Sequence, residues 1–275
     1  MFTVIVVCFN AGSNLEKTLN SIYSQDYWNY KVIIKDGGST DGSLVSLKEA
    51  GCFTGRIGEL TTIIEGSDKG IYDAMNIAVS NIDTHEDNYV IFMNCGDTFH
   101  DRQTLGFVAD YISETDKSEA PYIFYGDQYN ELTDTVVSSV PSINEFALFR
   151  NVPCHQVCFY DSRLFGERGY NTEYVVRADY EHFLYCCYEK NAVTVHMNHV
   201  ICNYEGGGFS ETKKNRERSA IEHAKITDYY MGDKAKRYRM IMTLSGAGLR
   251  TKLAESKTFS GAYNALKSIV YKIKS

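Results

Sequence analysis

Proline is scarce, at three residues in 275, which argues against long disordered linkers. No window approaches the ~18 consecutive apolar residues of a membrane-spanning helix. The first ten residues, Met-Phe-Thr-Val-Ile-Val-Val-Cys-Phe-Asn, lack a basic leader and a small-residue cleavage site, so they read as a strand rather than a signal peptide. The eight cysteines contain no Cys-x-x-Cys pair. Cys8, Cys158 and Cys202 sit in apolar runs, and reduced thiols in a cytoplasmic protein are expected. A metal site around Cys154, His155 and Cys158 is disfavoured. Strand alternation there would put Cys154, Gln156 and Cys158 on one face and His155 on the other. The sequence also lacks G-x-G-x-x-G after its first strand, G-x-x-x-x-G-K-[ST] and G-x-S-x-G. These absences disfavour dehydrogenases, P-loop NTPases and hydrolases built on a nucleophile elbow.

What remains is ordinary globular composition, 44% hydrophobic and 23% charged. The central stretch is residues 89–97, Tyr-Val-Ile-Phe-Met-Asn-Cys-Gly-Asp. Val90, Ile91, Phe92 and Met93 predict a short strand buried on both faces. It ends in Asn94, Gly96 and Asp97, which suit either a turn or a ligand site at the carboxyl end of a sheet strand. Upstream, residues 3–8, 32–34 and 60–65 predict three further strands. Helices follow them, with Leu15, Leu19, Ile22 and Tyr23 at helical spacing in the first and Ile71, Met75, Ala78 and Val79 in the third. Ser13 and Glu16 fit a capping box for the first helix, and Asp41 suits the cap of the second. This alternation predicts an α/β protein with a mainly parallel, Rossmann-like central sheet flanked by helices. Further strands are expected at 122–125, ending in Gly126 and Asp127, at 157–159 and at 193–204, with a helix over 178–190.

Carboxylates recur at element ends: Asp36 and Asp97 after strands, Asp179 at a helix start. They suit base and ribose groups as acceptors but repel a diphosphate. A divalent cation on Asp97 would resolve that conflict.

Three segments carry a family resemblance. They are Val4-Ile5-Val6-Val7-Cys8-Phe9-Asn10, Asp36-Gly37-Gly38-Ser39-Thr40-Asp41-Gly42 with the preceding Ser21-Ile22-Tyr23-Ser24-Gln25, and Asp68-Lys69-Gly70-Ile71-Tyr72-Asp73-Ala74-Met75-Asn76. Over roughly residues 2–211 the chain resembles family 2 glycosyltransferases, inverting enzymes of the GT-A fold, and its third segment resembles the subgroup that builds bacterial surface polysaccharides. The resemblance implies transfer of a sugar from a nucleotide-diphosphate sugar, UDP-sugars favoured, to a glycan or lipid-linked glycan acceptor. It implies Phe9, Asn10, Asp36, Asp68, Lys69, Tyr72 and Asn76 on the donor side, and His155 and Gln156 on the acceptor or diphosphate side. Asp97 would hold Mn2+ or Mg2+, and Asp179 would be the base, although an aspartate at a helix start also caps without catalysis. The family's Asp-x-Asp-Asp motif stands here as Asn94-Cys95-Gly96-Asp97, with only the last carboxylate kept. A sugar nucleotidyltransferase and a catalytically silent nucleotide-sugar-binding scaffold are the alternatives. The first is expected to show a glycine-rich basic loop after the first strand, where Phe9-Asn10-Ala11-Gly12 stands.

The expected domains are a catalytic unit over 1–211 and a basic helical C-terminal extension over 212–275. Residues 213–275 carry 15 Lys and Arg against 5 Asp and Glu, so a chain of net charge −7 divides into about −17 and +10. Phe259, Tyr263, Leu266, Ile269, Val270 and Ile273 recur at helical spacing, with Lys267, Lys272 and Lys274 beside them. Such a helix fits peripheral contact with an anionic membrane, at the inner face of the cytoplasmic membrane. No nucleic-acid partner is expected.

Overall fold

The computed structural model describes residues 1–82, 84, 88–206 and 212–244. Its frame is a set of parallel strands, β1 (Phe2–Cys8), β2 (Tyr30–Asp36), β3 (Thr61–Glu65) and β4 (Tyr89–Asn94). All seven residues of β1 are buried, as are the first five of β4, which is why both read as unbroken apolar runs. Register then decides where the polar ends meet. Cys8 pairs with Asp36, Val7 with Asn94 and Asp36 with Glu65, so the chemistry-bearing residues gather along one edge.

Between these strands lie α1 (Ser13–Tyr23), α2 (Ser43–Glu49), α3 (Gly55–Leu60) and α4 (Ile71–Val79). Leu15, Leu19 and Ile22 form the buried stripe of α1, while Tyr72, Met75, Ala78 and Val79 lie buried on α4. The second half adds β5 (Thr98–Phe99), α5 (Thr104–Glu114), β6 (Tyr122–Asn130), β7 (Thr135–Val137), α6 (Glu145–Arg150), β8 (Cys158–Asp161), α7 (Ala178–Tyr188) and β9 (Val193–Tyr204). One sheet runs in the order β3-β2-β1-β4-β8-β6-β9-β5, with β7 beside β6. Its first four strands are parallel. Beyond β4 the pairing is mixed, β8 lying antiparallel to both β4 and β6, and β9 parallel to β6.

Two basic helices close the described chain, α8 (Lys213–Met231) and α9 (Asp233–Leu244). Ile226, Met231 and Ala235 join the same buried core as the sheet, and the Nε2 of His223 donates to the Phe149 carbonyl at 2.7 Å. No helix of the described residues is long and apolar enough to cross a membrane. The amphipathic segment expected over 256–275 lies outside the described residues.

Four local expectations are corrected. The capping box at Ser13 does not form: Gly12 is the N-cap of α1 and no side chain caps it. The Gly12 N–H instead donates to Asp41 at 2.8 Å, and Ser43 donates to the same carboxylate. Asp41 therefore ties two loops together, and Gly42 takes the cap position of α2. The strand at 122–125 does not stop at Gly126 but continues through a bulge to Asn130. A Cβ on Gly126 would lie 2.4 Å from the His199 carbonyl, so this glycine permits close strand approach rather than a turn. Residues 155–157 form a 3-10 turn, not a strand. Alternation does not apply there, and His155 and Gln156 reach the same region.

Candidate active site

The loops after β1, β2 and β3 are knitted to one another. Asp36 ends β2 and is 3% exposed. Its Oδ1 accepts the N–H groups of Gly38 (2.8 Å) and Ser39 (2.7 Å), and its Oδ2 accepts from the Cys8 thiol at 3.3 Å. Burial alone would raise its pKa. Hydrogen bonds from Ser39, Cys8 and Gly38 outweigh that and hold the carboxyl below its ordinary range. Asn10, in the left-handed region at φ 49°, accepts the Thr40 N–H at 2.8 Å and donates its own N–H to the Ser39 hydroxyl. Phe9 stands 65% exposed beside Gly37, an open aromatic face at the mouth of this loop pair.

Lys35 fastens the third loop. It is 1% exposed, and its ammonium donates to the carbonyls of Asp36 and Gly66, each at 2.6 Å, and to Asp68 Oδ2 at 3.1 Å. Asp68 Oδ1 accepts the Gly70 N–H at 3.0 Å, and the Lys69 N–H goes to Asp73 at 2.8 Å. Sequence reasoning passed over Lys35. Its signal was a lone charge at the end of the apolar run of β2.

A second cluster forms around the end of β4. Asp97 is 4% exposed. Its Oδ2 accepts from Gln156 Nε2 at 2.7 Å and its Oδ1 accepts the Glu205 N–H at 3.0 Å. Burial raises its pKa despite these bonds. The Thr18 hydroxyl accepts the Gly96 N–H (2.9 Å) and donates to the Asp97 carbonyl (2.8 Å), which fixes the turn. Gly96 has φ 104°, and a Cβ there would lie 2.0 Å from Glu205 Oε2. Glu205 is thus part of the site, and the sequence offered no motif to flag it.

Asp179, in the first turn of α7, lies in the same cluster with its side chain 26% exposed. Its Oδ1 accepts from the Tyr72 hydroxyl (3.0 Å) and the Tyr180 N–H (2.8 Å), and His155 Nδ1 lies 3.3 Å from its Oδ2. Burial pushes its pKa up, but His155, the Tyr180 N–H and Arg177 together hold it below the usual carboxylate value. Asp179 is therefore ionised at neutral pH. An ionised carboxylate accepts the Nδ1–H of His155, and the other ring nitrogen, Nε2, lies 3.2 Å from Asn94 Nδ2. The result is a chain Asn94–His155–Asp179–Tyr72 drawn from four elements.

The sequence-predicted residues divide accordingly. Phe9, Asn10, Asp36, Asp68 and Lys69 lie on the knitted loops. Asp97, His155, Gln156 and Asp179 come together in the second cluster. Tyr72, expected on the donor side, is buried and directs its hydroxyl to Asp179 and the Val176 carbonyl. Asn76 joins neither group. Its amide is committed to both backbone groups of Tyr170, at 2.9 and 2.7 Å.

Among the described residues no three His, Cys, Asp or Glu side chains form a metal cage. One buried oxygen near Asp97 nonetheless lacks a partner: Asn94 Oδ1. A carboxylate and an unpartnered amide oxygen are hard donors of the kind a Mg2+-type cation takes, with one or two protein ligands and the rest from water and substrate phosphate. Asp97 and Asn94 meet that requirement.

Comparison with known proteins agrees with the geometry. Residues 3–175 match Glycosyl transferase family 2. The chain is 32% identical over 219 residues to a PGL/p-HBAD biosynthesis glycosyltransferase of Mycobacterium bovis (strain BCG / Pasteur 1173P2), covering 79% of this chain and 82% of that protein. Among solved structures it superposes on Staphylococcus aureus TarS 1–349 with a TM-score of 0.65 at 15% identity, covering 94% of this chain and 73% of that one. It also superposes on the mannosyltransferase PcManGT of Pyrobaculum calidifontis, in complex with GDP-Man and Mn2+, with a TM-score of 0.61 at 14% identity, covering 99% and 86%. The fold is that of GT-A glycosyltransferases, and the chain belongs to glycosyl transferase family 2.

Proposed function

We propose that this glycosyltransferase works by single displacement with inversion, with Asp179 as its base. The observation that carries the reading is Asp179 itself. It is an ionised carboxylate, partly open, oriented by His155, Tyr72 and the Tyr180 N–H, in the same cluster as Asp97. Asp179 takes the proton of an acceptor hydroxyl as its oxygen attacks the anomeric carbon. The bond from that carbon to the diphosphate oxygen breaks, and the nucleoside diphosphate leaves with the electron pair. Asp36, Asn10 and exposed Phe9 form the nucleoside side. Lys35 and Asp68 hold the loops around it. Asp97 and Asn94 would hold a divalent cation, Mn2+ or Mg2+, which when bound offsets the negative charge of the diphosphate. Tyr72, expected on the donor side, orients Asp179 instead, and Asn76 braces the Tyr170 backbone.

The donor is a nucleotide-diphosphate sugar. Neighbouring folds are known in complex with UDP, UDP-GlcNAc and GDP-Man, which supports that class, and UDP-sugars are favoured. The acceptor is a glycan or lipid-linked glycan in surface polysaccharide or glycolipid synthesis, a reading supported by the biosynthetic name of the mycobacterial relative. The basic tail, read from sequence, brings the enzyme to the cytoplasmic face of the membrane.

A panel of nucleotide sugars tests the proposal, each assayed with Mn2+ and with chelator. One donor should raise the melting temperature and support transfer or slow hydrolysis with inverted configuration. Binding without turnover of any donor would favour a silent binding protein. Retained configuration in the product would remove the single-displacement mechanism.

A further inference from the structure

The base stands in the first turn of α7, and α7 has no side-chain cap of its own. The segment leading into it, residues 175–177, is held from elsewhere. Glu222 on α8 is 6% exposed. Its Oε1 accepts the Val175 N–H at 2.9 Å, and its Oε2 accepts the N–H groups of Val176 and Arg177, each at 2.9 Å. Three consecutive backbone donors thus converge on one carboxylate. Arg218, one turn earlier on α8, donates to Oε1 at 2.8 Å and closes the charge balance. Burial would raise the Glu222 pKa, but these donors hold it below its ordinary value, so the carboxylate is present at neutral pH.

Neighbouring contacts act on the same segment. Arg177 Nε donates to the Ser219 hydroxyl at 2.7 Å, one turn from Glu222, and the Tyr72 hydroxyl meets the Val176 carbonyl at 3.0 Å. Asp179 follows two residues after Arg177. None of its own hydrogen bonds involves α8, so Glu222 reaches it through the backbone of residues 175–177 and through Tyr72, which meets both the Val176 carbonyl and Asp179. α8 also lies beyond residues 3–175, the part matched to the family.

We propose that Glu222 is a positioning residue for the transfer reaction: by gathering the N–H groups of residues 175–177 it sets where Asp179 stands relative to the acceptor hydroxyl. This rests on Asp179 being the base. α8 is then a working part of the reaction centre. Displacing a base by about 1 Å costs on the order of 10²-fold in rate, whereas the hydrogen bonds of Glu222 go to residues 175–177 and Arg218 and not to the donor loops.

The test is steady-state transfer by the full chain, using a nucleotide sugar from the panel that supports turnover. Glu222→Gln should lower kcat by roughly 10- to 100-fold. Donor KM should stay within about twofold and the far-UV spectrum should be unchanged. In an Asp179→Asn background the same substitution should cause no further loss, because it acts only through the missing base. Equal fold-losses in both backgrounds would show a general structural role and overturn the proposal, as would unchanged kcat or a parallel loss of donor affinity. If Glu222→Gln does not fold, Glu222→Asp is read by the same split, since it keeps the charge but withdraws it by one methylene. Near-normal turnover of Asp179→Asn alone would defeat the base assignment. Full turnover of Glu222→Gln beside a crippled Asp179→Asn would defeat only the positioning role.

Discussion

The two halves of the site are built differently. On the proposed donor side, the loops after β1, β2 and β3 are joined mainly by side chains bonding to backbone: Asp36 to Gly38 and Ser39, Asn10 to Thr40, Asp41 to Gly12, Lys35 to two carbonyls. On the other side, backbone bonds from Glu205, Gly96 and Tyr180 are joined by a continuous run of side chains bonding to side chains: Gln156 to Asp97, Asn94 to His155, His155 to Asp179, Tyr72 to Asp179. The first pattern fixes a cradle whose shape depends on few side-chain rotamers. The second fixes proton positions, because each member sets the donor or acceptor role of the next. A cradle for the proposed donor and a network that orients the proposed base call for these different constructions.

The sharpest break in that comparison is Asp179→Asn. Transfer should fall by roughly 10²–10⁴-fold with donor affinity retained. An equal loss of donor binding, measured by titration, would mean that the two halves are not separate. The converse substitution, Asp36→Ala, should weaken donor binding by roughly 10- to 100-fold, the range for losing hydrogen bonds to a charged group. That loss should be the same in Mn2+ and in chelator, whereas Asp97→Ala should weaken binding only when Mn2+ is present. Identical losses for both variants in chelator would overturn this division.

A pH profile probes that network. His155 lowers the Asp179 pKa and burial raises it. Removing the ring in His155→Ala leaves burial less opposed, so the Asp179 pKa rises and the acid limb of kcat moves to higher pH. A limb that stays put, or moves to lower pH, would show that His155 does not set the ionisation of the base. The smallest effect concerns the tail. Each basic residue near an anionic surface contributes on the order of 1 kcal/mol, screened by salt. Full-length protein should sediment with anionic vesicles at low salt, and deletion of residues 256–275 should abolish this. A truncated chain that still pellets would take the membrane contact away from that segment.

The same contrast explains what could be read from the sequence. Parallel strands buried on both faces announce themselves as apolar runs, and the residues ending them are fixed by register. Asp36 and Asp97 were therefore legible as strand-end carboxylates. The second cluster was only partly legible, because it depends on contacts between residues far apart in sequence. Strand alternation puts His155 on the face opposite Gln156, but residues 155–157 form a 3-10 turn that brings both to one region. Lys35 was hidden by its place in an apolar strand, although a charge there was the clue. Glu205 and Glu222 carry no local pattern: one is known by the turn it crowds, the other by the three N–H groups it gathers from a segment about 45 residues earlier. Tyr72 reads from the sequence as a donor-side residue, whereas its hydroxyl bonds Asp179 and the Val176 carbonyl.

The turn at Gly96 also bears on how this sequence can change. A side chain at position 96 and the Glu205 carboxylate compete for one volume, with 2.0 Å between a would-be Cβ and Oε2, and φ 104° disfavours any L-residue there. The family motif carries an aspartate at the position where this chain has Gly96. Restoring it alone would meet backbone strain, and the Glu205 carboxylate, the far end of a flexible side chain, would have to move aside. Drift toward a more acidic motif is passable only where residue 205 shrinks or turns away first.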